Sequence, residues 1–506
     1  MKKVSIYEPG VLIIGIILAI FSAAICMQIM GMFGTAPNTS LITGILIMII
    51  ARIPLELLKK YRDLERQNYI MSIASAAGFS AANGAFVGVA MVFIMNRTDL
   101  IIPLSIGILI GSIISVFSTY KLFDSSIFPA NGSWPMATAS AKILEAGNEG
   151  GKKGIELFQG VLIGAILNQF GLPATGIGIA FVANMVTMAA MGFGSAFAGF
   201  APALLNFHIN ETNIPQGIMI GAGIVAFIQI IFSIAKKKKK NDKIKIQSIT
   251  NSNNSEKKSL LATLILFTFG AIFIASISNI FEEMSIMQNI AWVLFSSIAT
   301  LITMLLVGTT SMHSGIAPSF AVVTLFLTIG MFLNFSPTSL AIMVGYIGSV
   351  GMIFADTGIG LKTGYIIRNG QNELQGRKQQ MIMKQLGVII GVLMAFFFGV
   401  AIIENEIIPP MSFFYASAVS ETLASDVLIE LSIWAIVGAI LQGVFGNKSV
   451  GLMIATGLLL GHGLFGIFIL ISLLIRLKLG TKYMSIRSPG LIAGDGVWGF
   501  ISTFLR

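Results

Sequence analysis

Two carboxylates stand in stretches that are otherwise apolar. Asp356 closes an apolar run in FADTGIGLKTGYIIRNGQ, residues 354–371, and Lys362 follows six residues later across Gly358 and Gly360. Asp495 lies between Gly494 and Gly496 in SPGLIAGDGVWGFISTFL. An acid at membrane depth is costly and marks a substrate or proton path by default. Low dielectric disfavours the charged form, so such a group can exchange a proton as a cavity opens to either side. Asp495 has no basic residue between Arg487 and Arg506 and is the expected proton carrier. Asp356 is expected to organise its loop with Lys362, the alternative being a simple interfacial ion pair.

Two further segments carry binding chemistry. In SSIFPANGSWPMATASAKILEAGNEGGKKG, residues 125–154, Pro129 and Pro135 bracket Asn131, Gly132 and Ser133, and small residues then open a helix. The free N–H groups and positive end of that half-helix suit a carboxylate or carbonyl; the alternative is a cytoplasmic amphipathic loop. In GTTSMHSGIAPSFA, residues 308–321, the Gly-x-x-Pro spacing of Gly132–Pro135 recurs at Gly315–Pro318. Thr309, Thr310, Ser311 and Ser314 surround His313 there, a polar patch at a membrane boundary. The candidate substrate residues are Pro129, Asn131, Gly132, Ser133, Thr310, Ser311, His313 and Gly315. Gly- and Pro-interrupted polar segments of this kind point to transport sites, because open backbone at membrane depth must be buried in protein or line a cavity.

The elements that must hold these residues are membrane helices. The chain has 506 residues, 55% hydrophobic and 11% charged, and a mean hydropathy of +0.88; a soluble domain carries about 25% charged residues. About 20 apolar residues cross a bilayer. Such runs occur at 10–30, 41–57, 69–94, 100–120, 154–170, 176–191, 194–205 and 217–235. They resume at 260–280, 288–307, 320–332, 339–354, 383–403 and 427–445. The Gly/Ala-rich stretch 171–207 reads as two close helices or as a helix and a hairpin. The run 450–475 is either one tilted helix or a re-entrant segment and a crossing, broken at Gly461, His462 and Gly463. The fold class is thus all-α, a polytopic bundle of about 14–16 transmembrane or re-entrant helices.

Organisation follows from charge. Residues 1–235 form an N-terminal transmembrane half, 236–258 a basic linker, and 259–506 a C-terminal half. The linker KKKKKNDKIKIQSITNSNNSEKK lacks apolar periodicity and reads as a flexible cytoplasmic connection. Lys2, Lys3, the 59–66 loop, residues 121–153, the linker and residues 362–384 all fall on one side of this map, the cytoplasmic side by the positive-inside rule. The opposite loops hold Asp99, Glu211, Glu282, Glu283, Glu404 and Glu406, with Arg97 the basic exception. The expected setting is a plasma or inner membrane, multi-pass, with a cytoplasmic N-terminus.

Several functions are set aside. The net charge of +10 lies in short loops and reads as topology, so no nucleic-acid partner is expected. One cysteine, Cys26, offers neither a disulfide nor a thiolate cage. The isolated His208, His313 and His462 give no HExxH spacing, and no Walker A loop occurs, so neither an enzyme nor an ATPase is expected, and no cofactor or bound metal. A channel is the remaining competitor, distinguished by flux that does not saturate. Asn83, Asn168, Asn184 and Gln229 supply intramembrane amides, either helix-to-helix glue or substrate contacts.

FPANGSWPMATASAKILEAG followed by a glycine pair, FADTGIGLKTGYIIRNGQNELQGRKQQMIMKQLG, and SPGLIAGDGVWGFI occur in an order that resembles the oligopeptide transporter family, in particular its shorter prokaryotic members. The chain lacks the Asn-Pro-Gly and Lys-Ile-Pro-Pro-Arg motifs of the fungal peptide branch. The resemblance implies proton-coupled symport of small peptides, or of peptide-like chelates of iron or another transition metal, by a helical bundle of two related halves. The implied partners are the substrate, protons and the lipid bilayer; a homodimer is left open.

Overall fold

In an apolar medium each backbone N–H and C=O must be satisfied within its own segment, and the computed structural model is helical accordingly. It describes residues 6–33, 39–52, 56–209, 212–240, 253–371, 373–420, 425–445 and 449–503. Among these no β-strand occurs, only an isolated bridge between Phe123 and Phe128. The helices up to the linker are α1 (Pro9–Phe33), α2 (Thr39–Arg52), α3 (Leu64–Phe79), α4 (Val87–Ile94), α5 (Ile101–Leu122), α6 (Pro135–Glu149), α7 (Gly151–Gln169), α8 (Ala174–Val182), α9 (Met185–Leu205) and α10 (Ile214–Lys240). A π-helical turn, Ser80–Phe86, joins α3 to α4. Then come α11 (Asn253–Ile277), α12 (Ile280–Glu283), α13 (Ile286–Ser314), α14 (Ser319–Phe332), α15 (Pro337–Arg368), α16 (Glu373–Glu404), α17 (Pro410–Ser420), α18 (Ser425–Val444), α19 (Val450–Leu460), α20 (Gly463–Leu479) and α21 (Arg487–Thr503). Eight helical stretches among the described residues are long and apolar enough to cross a membrane. The protein is a polytopic helical membrane bundle.

The helices from the two sides of the linker interleave. α7 packs on α21, α8 on α20 and α21, α9 on α19 and α20, and α10 on α18. Beside this layer, α15 is enclosed by α3, α5, α6, α13, α14 and α16, which is why it is apolar on nearly every face. Peripheral helices instead carry exposed stripes at helical spacing, such as Ile429, Ile433, Ile436 and Ile440 on α18 and Leu261, Ile265 and Phe269 on α11. In a bilayer these stripes face lipid, which is as apolar as they are.

Three boundaries differ from the sequence expectation, and one that was left open is decided. α15 does not stop at Asp356: Gly358 and Gly360 lie inside a continuous helix ending at Arg368, because each leaves room for a neighbour's side chain rather than for a turn. The helix break in the 171–207 stretch falls at Ala183–Asn184, not between 191 and 194; the Asn184 side chain caps α9 by accepting from the Val186 and Thr187 N–H groups. The run 450–475 is two helices, with His462 capping α20, and α19 at 11 residues is too short to span. The linker is helical at both ends, through Lys240 and from Asn253, and its residues 241–252 lie outside the described residues.

Most of the basic segments gather at one end of the bundle. Lys60 and Arg66 pair with Glu8 at 2.8 Å each, and Tyr69 bonds Gln379. Arg377 donates to the Phe123 carbonyl, and Glu256, at the end of the linker, holds the Ser126 hydroxyl at 2.8 Å. At the other end Arg97 pairs with Asp99 at 2.8 Å and reaches Thr338, which itself donates to Glu283. The one basic exception is thus embedded among acids.

Candidate functional site

The sequence around residue 130 cannot continue α5, since Pro129 and Pro135 each lack an N–H and disfavour helix in the residue before them. The chain turns back instead, with the Gly132 N–H on the Pro129 carbonyl at 2.8 Å. It enters α6 through Trp134, whose φ of 36° places a bulky residue in the left-handed region. Such strain persists only where surroundings over-determine it. Here the Trp134 N–H donates to the Met312 carbonyl at 2.9 Å, the Ser133 hydroxyl donates to the same oxygen at 2.6 Å, and the buried indole lies against Gly358 of α15, where a Cβ would collide with the ring.

The acceptor, Met312, belongs to the last turn of α13, whose carbonyls have no partner within the helix. The next orphan carbonyl, Ser314, accepts from the Asn184 N–H at 3.1 Å. Gly315, at φ +86°, closes α13 with its Cα side against Pro135 and Ala183, and the chain leaves at once for α14. One turn earlier, Thr310 Oγ1 lies 3.4 Å from the Ser449 hydroxyl at the start of α19. The starts of α6, α9, α14 and α19 therefore converge on the end of α13. α9 is capped by Asn184 and the Gly451 N–H of α19 is held by the Gln442 side chain at 3.1 Å, whereas α6 and α14 have no side-chain cap. Arg476 adds a cation nearby, donating to the carbonyls of Ala180 and Ala183 at the end of α8.

This junction unites three of the four polar segments of the sequence, the one around Asp495 lying apart from it. The 129–135 and 308–318 segments meet through Met312, and Lys362 ties the third to them by donating to the Ala130 carbonyl at 2.6 Å. Asn131, Ser133 and His313 are exposed at the junction, while Thr310 and Ser311 are buried. The Gly-x-x-Pro repeat marks the same event twice, a half-helix starting just after a break.

Lys362 is not the partner of Asp356. Six residues along a helix is about 240° around its axis, so the two point apart. Asp356 pairs with Lys384 of α16 at 2.5 Å, with exposures of 0% and 1%. The Ser40 hydroxyl of α2 donates to the carboxylate at 3.3 Å, and Lys384 donates to the Ser75 hydroxyl of α3 at 2.6 Å. Asp495 is held differently. Its carboxylate accepts from the Asn168 amide at 2.7 Å and from the Thr175 N–H at 2.6 Å, so it caps the first turn of α8, where the helix dipole favours the charged form.

Further along the α3–α4 span, the π-helical turn borders a small cavity of about 10 Å³, lined by Asn83, Ser319, Phe320, Gly348 and Tyr415 among others. That is about the room of one water. The Asn83 Nδ2 is buried without a partner. Sequence reading missed Lys384, Arg476, Trp134 and Ser449. A lysine within an otherwise apolar run was the available signal for Lys384; the others become visible only through contacts distant in sequence.

A membrane bundle with interrupted helices meeting inside it has the build of a multi-pass transport protein, in which a solute passes between broken helices. The family model described as OPT oligopeptide transporter protein matches residues 10–258. The match includes the Pro129–Pro135 break; the 354–387 and 488–501 motifs lie outside it. No curated protein matches the chain.

Proposed function

We propose that the protein is a secondary active transporter that carries small oligopeptides by proton-coupled symport, and that the substrate binds at the junction of helix breaks. The observation that carries this is the convergence of the uncapped starts of α6 and α14 on the end of α13. Helix starts of this kind favour an anionic group, and a peptide brings one in its terminal carboxylate. Asn131, Ser133 and His313 offer polar contacts at the open face, Thr310 and Ser311 back them, and Gly132 and Gly315 with Pro129 shape the backbone. The basic end of the bundle is the cytoplasmic end in this reading.

Uptake into proteoliposomes of peptides and metal chelates, with and without an inward proton gradient, tests the substrate class. Peptides with a free carboxylate should compete better than their C-terminal amides. Asn131→Ala and Gly132→Val should raise the half-saturating concentration with the protein still in the membrane; the Cβ of the second would meet Met312 Sδ at 2.9 Å. Unchanged affinity in both would move the binding site elsewhere. Orientation is tested in a Cys26→Ser background. Thr212→Cys should react with an impermeant thiol reagent on intact cells and Asn251→Cys only after lysis.

A further inference from the structure

Of the ion pairs among the described residues, Asp356–Lys384 is the most deeply buried. Desolvating two ions in a membrane interior is costly, and packed apolar residues would hold the helices together at least as well. Stability alone therefore does not account for the pair. Its surroundings are lined by glycine. Gly360 of α15 lets the lysine pack directly on its backbone, since a Cβ there would lie 2.7 Å from Lys384 Cε. On the same face of α16, one and two turns further on, Gly387 and Gly391 bring α16 against the backbone of α3 at Ile73 and Ala77. The π-helical turn begins directly after this contact, and its Ser80 hydroxyl lies 3.4 Å from the Val388 carbonyl. Single π-turns in helices frequently mark functional sites, and this one adjoins the close, glycine-lined contact between α16 and α3.

Resting on the reading of the protein as a proton-coupled carrier, we propose that Asp356 and Lys384 form the coupling switch, the proton binding the Asp356 carboxylate and its arrival releasing Lys384 and α16 from α15. The carboxylate takes up one proton and becomes a neutral acid. Lys384 then lacks its counter-charge, and a buried, unpaired ammonium is unfavourable, so α16 moves until the amine meets water or another acceptor. Loss of the proton on the other side restores the pair. The titratable groups facing Asp356 are Lys384 from α16 and the buried Cys26 thiol from α1. α2 and α3 contribute the hydroxyls of Ser40 and Ser75, Lys362 is engaged by Ala130, and the ionisable side chains of α5 and α13 lie at helix ends, at Tyr120, Lys121 and His313.

The test is the double variant Asp356→Asn/Lys384→Met, which removes both charges together and leaves neither ion unpaired. Using labelled trialanine in proteoliposomes, it should keep counterflow exchange and lose accumulation driven by a proton gradient. Accumulation equal to the unaltered protein would overturn the switch and leave the pair structural. A second readout needs no substrate: deuterium uptake of the segments 72–91 and 380–395, corrected for intrinsic exchange, at acidic and neutral pH. Acid should increase it in the unaltered protein and leave the double variant unmoved; an identical pH response in both would also overturn the proposal. If the unaltered protein does not move trialanine, the substrate reading fails, and the deuterium comparison still decides the switch. If the double variant does not reach the membrane, Ser40→Ala keeps both charges and removes one hydrogen bond to the carboxylate. The pH of half-maximal accumulation should then rise, because a bond to the charged form is lost, and an unmoved pH profile would count against the proposal.

Discussion

The two buried acids, Asp356 and Asp495, share an apolar sequence setting and differ in every partner. Asp495 is fixed by the Asn168 side-chain amide and by a backbone N–H at the start of α8, the second of which cannot leave without unmaking the helix. Around it, α7 and α21 pack backbone to backbone: a Cβ on Gly164 would collide with the Leu491 carbonyl. Asp356 is instead answered by the end of a long, flexible side chain on another helix, which lies against Gly360. A carboxylate held by rigid dipoles stabilises one structure. One held by a movable charge can take part in two.

That contrast can be broken by single substitutions. Asp356→Asn should have the largest effect, because it leaves the Lys384 ammonium buried and unpaired, at a cost of about 3–5 kcal/mol. A sharply lower melting temperature in detergent, recovered in large part by adding Lys384→Met, is the expected result. Asp495→Asn removes the charge but keeps one acceptor, and should lose about 1.5–3 kcal/mol, the range for hydrogen bonds to charged groups. It should still concentrate substrate under a proton gradient; loss of accumulation with exchange intact would return the coupling role to Asp495. Gly164→Ala and Gly360→Ala extend the comparison. The first pushes against fixed backbone and should destabilise by about 1–3 kcal/mol. The second meets only the flexible Lys384 side chain and should alter coupling more than the melting temperature. The smallest effect belongs to the basic end of the bundle. Burial opposes ionisation of Glu8, but Lys60 and Arg66 hold its carboxyl below the usual range. A lowered folded-state pKa gives stability that is present above the ordinary carboxylate value and is lost as pH falls through the folded one. Glu8→Gln should therefore lower the melting temperature slightly at neutral pH and lose that difference in acid.

Much of this protein was legible in the sequence by itself. Apolar run length specified spanning helices, and local chemistry specified the breaks, because a proline or a glycine acts through its own backbone wherever it stands. The Pro129–Pro135 and Gly315–Pro318 segments interrupt helices as their residues dictate. The resemblance that a family model matches over residues 10–258 was legible too, from motifs in order. Periodicity failed at Ala183–Asn184, where small residues all around the helix give no face to read. It failed as well at Gly358 and Gly360, where glycine serves the Trp134 ring and the Lys384 side chain rather than a turn. Tertiary structure alone decided the partners. Asp356 meets Lys384 across 28 positions of sequence, and Trp134 meets Met312 across two halves of the chain. Nearness along a helix is angular as well as linear: Lys362, although closer in sequence, leaves α15 on another side and binds Ala130. Which charge answers which, and so which acid is free to move, depends on helix rotation and crossing, and these are set by packing between helices rather than within them.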